Sequence, residues 1–327
     1  MLAHDLRDLA GRLAFRKGTV LQASDATALL ALSWPELHLV GAGGDDIVET
    51  DAGEQLATLA AGPGCVVARP LTGHWPIAAA HRGILRVDVT ALRAVNELDA
   101  LAVYTLYDGQ VVEGGEAVAR AKVIPFAVPL SVLTRAREVS AAAGGLVAVR
   151  PFVPMRIGAV VSESLGTNAT ARFRDALEEK VSWLGSTLLT PAFVASTPNT
   201  VADGITGMVE QSADVIVVAG SRPKDPLDPA YVALERLGAR VERRGVPAHP
   251  GSLAWLARLR DIPIVGMPSC GLFSQATVFD LLLPRILAGE RIGPGELAAL
   301  GHGGFLTRDM AFRFPPYRPA QDRGEVE

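Results

Sequence analysis

DVIVVAGSRPKDPLDPAYVALERL, residues 214–237, decides the fold of this chain. Val215 to Val218 is an apolar run with no polar alternation, and a strand of that kind belongs in a parallel sheet covered on both faces. The loop behind it holds Gly220, Ser221, Asp225 and Asp228, and Pro229 to Leu237 reads as an amphipathic helix. Ligands of such sheets sit where the strands end, so Asp225 and Asp228 fall at the expected binding edge.

The same alternation extends in both directions. RIGAVVS (156–162) reads as a strand, and Phe173, Ala176, Leu177, Val181 and Leu184 then recur on one helical face. STLLTPAFV (186–194) is expected as the second strand, followed by a helix from about Asn199 to Gln211. ARVERRGV (239–246), a short helix over about 252–259, a last strand IPIVGM (262–267) and a closing helix over about 273–288 complete the pattern. Alternating strands and helices call for right-handed crossovers. The fold class is therefore α/β, a doubly wound, mostly parallel sheet with helices on both faces in the C-terminal half.

Residues 1–150 read as a smaller, mixed and β-rich N-terminal domain. GCVVARPL (64–71), GILRVDVT (83–90) and LAVYTLY (101–107) are candidate strands, and helices are expected at about 24–32 and 131–143. Asp108-Gly109, between Tyr107 and Gln110-Val111-Val112, is a hairpin signal because it supplies positive φ. RPFVP (150–154) disfavours helix and reads as the linker to a second domain over 155–290. Residues 291–327 are poorer in pattern, and FPPYRPAQDRGEVE reads as an extended or disordered tail.

Composition narrows the partners. The chain has 327 residues, 49% hydrophobic and 20% charged, with 31 basic and 35 acidic residues spread without blocks for a net charge of -4. That balance excludes a nucleic-acid or anionic-lipid footprint and favours small molecules or proteins. Cys65 and Cys270 lie far apart with no CxxC pair, so neither a disulfide framework nor a thiolate metal site is indicated. With no apolar leader at the N-terminus and no membrane-length apolar run, a cytoplasmic protein is expected.

Three strand-end loops converge on one edge in this reading: Ser162-Glu163-Ser164, Gly220 through Asp228, and Pro268-Ser269-Cys270-Gly271. Their small residues let a ligand approach backbone N–H groups, and the helix starts behind them favour an anion, so a phosphorylated small molecule is expected. Asp228 before Pro229 is also a good N-cap, compatible with holding a metal ion against a phosphate. Asp225 reads either as a second ligand or as a solvated loop carboxylate. Glu163 reads as a general base or metal ligand, or as an ordinary exposed glutamate. Cys270 reads as a small buried hydrophobe or a nucleophile. The histidines lack ligand spacing, although His302 in Gly301-His302-Gly303-Gly304 reaches a ligand if the tail folds back. No GxGxxG follows the first strand of the second half, and GxxxxGK(S/T), GxSxG and HExxH are absent, which sets aside dinucleotide binding, P-loop chemistry and the common hydrolases.

In order and spacing these loops resemble the molybdopterin-binding domain of the MoaB/Mog type, shared by molybdopterin adenylyltransferases and molybdopterin molybdotransferases. AGSRPKDPLDPAYVAL (219–234) sits where that family has T-G-G, an acidic loop, an aspartate and a helix. GVPAHPG (245–251) matches its Pro-Gly loop, and VGMPSCGLFSQATVFDLLLPRILAGE (265–290) its last strand, L-P-G loop and helix. The stretch from AFRKGTV (14–20) to VVEGGEAVARAKVIP (111–125) resembles the non-catalytic part of two-domain molybdotransferases.

The resemblance implies a molybdopterin site on Ser162, Glu163, Ser164, Ala219, Gly220, Ser221, Pro250, Gly251, Pro268, Ser269, Cys270 and Gly271, with Mg²⁺ and catalysis on Asp228 and Asp225. It also implies a homo-oligomer. The departures fall on charge and on the cradle. Ala219 and Ser221 replace the threonine and second glycine of T-G-G, Ser196-Thr197 replaces an acidic pair, and Leu165 replaces a glutamate. Two readings stay open: an enzyme of molybdenum-cofactor synthesis acting on molybdopterin, its adenylated form or molybdate, and a carrier that keeps the pterin site without transfer chemistry. A sugar- or nucleotide-phosphate binder on the same sheet is a third.

Overall fold

The computed structural model describes residues 1–315 apart from 33, 42, 71–72, 222–223 and 268–275. The chain divides into two compact units, the first made of Met1–His81, Leu85–Asp108 and Val112–Val149, the second of Arg82–Ile84, Gly109–Val111 and the chain from Arg150 onward.

In chain order the elements up to Pro151 are β1 (Leu6–Arg7), β2 (Leu13–Phe15), α1 (Ala26–Ala31), β3 (Asp46–Val48), α2 (Glu49–Ala60), β4 (Cys65–Val67), β5 (Trp75–Ala79) and β6 (Gly83–Val87). Then come α3 (Val89–Asn96), β7 (Leu101–Thr105), β8 (Val111–Val112), β9 (Ala117–Val123), β10 (Ala127–Pro129), α4 (Leu130–Ala143) and β11 (Val147–Pro151). A four-stranded antiparallel sheet of order β4-β5-β9-β7 carries the core of the first unit. Helix α2, which the apolar pattern did not announce, lays Ala52, Leu56, Ala57 and Ala60 against it. It packs so closely that a Cβ on Gly53 would enter the Trp75 ring.

Two expectations change here. GILRVDVT is a strand only to Val87, because the Asp88 carboxylate accepts from Ala91 N and starts α3. The Asp108-Gly109 turn does not close a hairpin between neighbouring strands, since β7 pairs with β9 and β8 with β6. Asp108 Oδ1 instead accepts from Val87 N at 2.9 Å and pairs with Arg86 Nε at 3.0 Å.

The second unit runs β12 (Arg156–Val161), α5 (Thr167–Trp183), β13 (Thr187–Leu188), β14 (Ala192–Phe193), α6 (Pro198–Glu210), β15 (Val215–Ala219) and α7 (Pro229–Arg236). It continues with β16 (Arg240–Arg244), β17 (Trp255–Leu259), β18 (Ile262–Met267), α8 (Val278–Leu287) and α9 (Pro294–Ala299). The sheet order is β13-β12-β15-β18-β17-β16, with β14 also on β12. Strands β13, β14, β12, β15 and β18 are parallel. Alternation sends Ile157, Ala159, Val161, Val215 and Val217 to one face, under α5 and α8. Val160, Ile216, Val218 and Ile264 go to the other, under α6 and α7. Both faces are thus sealed, as the unbroken apolar runs require. No helix among the described residues is long and apolar enough to cross a membrane.

Three expectations for this half are corrected. STLLTPAFV is two short strands on the two ends of β12, interrupted around Pro191, which has no N–H to give a ladder. Residues 255–259 form a strand, not a helix, and β16, β17 and β18 make an antiparallel meander. The tight turn between β17 and β18 is closed by Arg260 in the left-handed region, φ 53°, a conformation that sequence does not advertise for arginine. Finally, the stretch after 291 is not patternless. Pro294–Ala299 is helical, and Gly304 to Leu306 lies beside His249, which donates its N–H to Gly304 O and accepts from Leu306 N at 2.8 Å.

Trp255 stands directly across from Gly266, and a Cβ on Gly266 would fall inside its ring. Gly266→Ala is expected to lower the unfolding free energy by about 1–3 kcal/mol, read from a shifted urea midpoint at unchanged slope.

Candidate functional site at the carboxyl edge of the parallel strands

Strands β12, β14, β15 and β18 all point their C-termini at one edge, and α5, α6, α7 and α8 all begin there. Their N-caps are Gly166, Thr197, Asp228 and Thr277. Asp228 caps α7 and Asp280 sits in the first turn of α8, while α5 and α6 have no acidic residue at their starts, so the partial positive ends of α5 and α6, each roughly half an elementary charge, are uncompensated by their own side chains.

The first two predicted loops meet. Ser162 sends both its N–H (3.0 Å) and its Oγ (3.2 Å) to Ala219 O, binding the end of β12 to the end of β15. Gly220, at φ +90°, donates to Met267 O at 3.3 Å. A Cβ there would lie 2.7 Å from Glu163 Cβ and 2.9 Å from Glu163 N, so only glycine lets the two turns approach. Glu163 and Ser164 are exposed, while Ser162, Ala219 and Ser221 are buried. Pro268, Ser269, Cys270 and Gly271 lie outside the described residues.

The two aspartates differ. Asp225 is exposed and its Oδ1 accepts from Leu227 N at 2.9 Å, a local turn. Asp228 is 3% exposed, and its Oδ1 accepts from Ala230 N at 2.9 Å and from Ser221 Oγ at 3.1 Å. Ser221 Oγ in turn accepts from Trp255 Nε1 at 3.1 Å. The Tyr231 ring lies 5.6 Å from that of Trp255, and the Arg244 guanidinium lies 4.5 Å from the Tyr231 ring centre. Tyr231 is 4% exposed and its hydroxyl has no hydrogen-bond partner among the described residues. Burial pushes its pKa up, the Arg244 charge opposes this, and the Asp228 charge adds to it, so the phenol remains a donor at neutral pH. Asp228 is thus a cap built into a buried network, as its place before Pro229 implied.

A metal ion needs more than this. Among the described residues no three His, Cys, Asp or Glu side chains come together to hold one. With Asp228 engaged as a cap and Asp225 in a solvent-facing turn, the described side chains do not fit a Mg²⁺ centre, and no step is derived through one.

Pro250 and Gly251 also reach this edge, in the connection from β16 to β17. Pro250 O accepts from Val278 N at 3.0 Å, and Gly251, at φ +108°, leaves no room for a Cβ, which would sit 2.9 Å from Val278 Cβ. Through Gly304 and Leu306 the returning chain flanks the same loop, while His302 itself is exposed.

Sequence reasoning missed a buried cluster here. Lys180 Nζ lies 2.7 and 2.8 Å from the two Asp280 oxygens, with side chains 1% and 0% exposed. Asp280 Oδ2 also accepts from Thr277 N at 2.9 Å and Thr277 Oγ1 at 3.0 Å, closing a capping box on α8. Two signals were available: Thr277-Val278-Phe279-Asp280 has cap spacing, and Lys180 falls on the apolar stripe of Phe173, Leu177 and Leu184. Lys180→Met strands a carboxylate in the core and is expected to cost about 3–5 kcal/mol in chemical denaturation, with Asp280→Asn added to it recovering part of the loss.

No protein-family model matches the sequence, and no curated protein matches it. Solved structures similar to it include a molybdopterin biosynthesis MoeA protein from Pyrococcus horikosii, 13% identical, covering 74% of this chain and 79% of that one with a TM-score of 0.33. A MogA structure is 19% identical, covering 40% of this chain and 90% of its own with a TM-score of 0.26.

Proposed function

We propose that the C-terminal unit binds molybdopterin, or its molybdenum-loaded form, at the carboxyl edge, and that the chain serves molybdenum-cofactor biosynthesis as a carrier. The observation that carries this reading is that α5, α6, α7 and α8 all begin at the edge where Gly220 brings the turns after β12 and β15 together. A phosphate placed there is held by main-chain N–H groups and helix dipoles without any lysine. The motif order around Gly220, Pro250-Gly251 and 265–290 selects a phosphorylated pterin from the phosphate compounds such an edge accepts.

The carrier reading is preferred to transfer chemistry for reasons of charge. Ser196-Thr197 and Leu165 stand where the resembled family has carboxylates, and neither a hydroxyl nor an isobutyl group neutralises a cation or takes a proton at neutral pH. The transferase reading, acting on adenylated molybdopterin and molybdate, keeps one supporting observation: Asp228 survives at the family position.

One paired assay separates them. Saturable binding of molybdopterin with no adenylate or molybdate transfer supports the carrier. Turnover that disappears in a folded Asp228→Asn variant replaces it with the transferase. Absence of saturable binding removes both.

A further inference from the structure

The last residues of four parallel strands stand in one row at the carboxyl edge. Phe193 pairs with Val161, Val161 with Ala219, and Ala219 with Met267. Neighbouring strands lie about 4.8 Å apart, so Phe193 is roughly 10 Å from Ala219, the residue that leads into the Gly220 turn. Side chains in one row of a parallel sheet share a face, here the face under α5 and α8. Val161, Ala219 and Met267 are fully buried on it, whereas Phe193 is 43% exposed.

The Phe193 ring is nonetheless fixed in place. The buried ring of Phe173, on α5, stands 6.3 Å away with the two planes at 75°, an edge-to-face contact. The next residue along the chain, Val194, donates its N–H to Val161 O at 2.9 Å. Helix α5 starts beside this ring. Gly166, Thr167 and Asn168 are exposed there, no side chain caps the helix, and no acidic residue stands in its first turn. Phe173 lies six positions into α5 from Thr167, about 9 Å along the axis. A half-open aromatic ring and an uncapped helix start are thus held a small molecule's length apart. A bare phosphate or a sugar phosphate uses only the helix start. A planar heterocycle joined to a phosphate uses both, its ring against the aromatic face and its phosphate on main-chain N–H groups.

We infer, resting on the pterin reading of this edge, that Phe193 is its stacking residue: it holds the flat ring of the bound molecule and makes the edge selective for phosphates that carry such a ring. The test is equilibrium titration of the full chain with molybdopterin, unaltered and as Phe193→Ala, Phe193→Leu and Phe193→Tyr. Loss of a stacked aromatic is expected to raise the Kd about tenfold in the alanine and leucine variants, while the tyrosine variant keeps the affinity of the unaltered chain. Glycerol 3-phosphate, a phosphate without a ring, is expected to bind the unaltered chain more weakly than molybdopterin by at least the same factor. A merely structural role is met by leucine, which fills space without offering a ring. Unchanged affinity in Phe193→Ala, full affinity in Phe193→Leu, an equal loss in Phe193→Tyr, or equal binding of glycerol 3-phosphate overturns the inference and leaves the pterin reading standing. No binding of molybdopterin by the unaltered chain removes both. If the alanine variant does not fold, the comparison of leucine with tyrosine decides.

Discussion

Burial on both faces of β12, β15 and β18 is the constraint from which the C-terminal unit follows. Side chains of a strand alternate, so Val160 and Val161 cannot both be covered by one layer of helices. Covering both layers while keeping the strands parallel requires a helical crossover after each strand, and each crossover starts its helix at the same edge. The electrostatic character of that edge is therefore a by-product of hydrophobic sealing. It needs no cluster of lysines, in keeping with a chain whose net charge is only -4.

That logic was legible where the residues obey one period. IPIVGM matches β18 in full, and the helix over Phe173, Leu177 and Val181 lies where its spacing put it. Legibility failed where tertiary pairing overrides local preference. Ser252 to Leu259 has helix-forming residues, yet Trp255 to Leu259 is recruited as a strand because β18 offers an open ladder and Gly266 offers room for an indole. In the N-terminal half, α2 escaped notice because its buried face is built of Ala52, Gly53, Ala57 and Ala60, which carry little hydrophobic signal. For the site, small residues and prolines located Gly220, Pro250 and Gly251, since their geometry is intrinsic to the residue type. The Ser221–Trp255 and Lys180–Asp280 bonds span 34 and 100 residues, which no local window contains.

The two edges of the sheet divide polar groups differently. At the carboxyl edge the buried carboxylate of Asp228 is consumed by a cap and by Ser221. At the amino edge Arg258 is engaged instead by the Glu242 carboxylate, 3.7 Å from its Nε, and by Asp261 O, an ion pair and a turn rather than a helix cap.

The bond between Lys180 and Asp280 joins residues 100 positions apart. On a ribosome the ammonium therefore emerges long before its counter-charge, and until the chain has grown past Asp280 the α5 stripe carries an unneutralised cation on its oily side. Seating that face of α5 on β12 without Asp280 would bury an unpaired ammonium, so the packing of α5 reaches its full stability only when the start of α8 is in place.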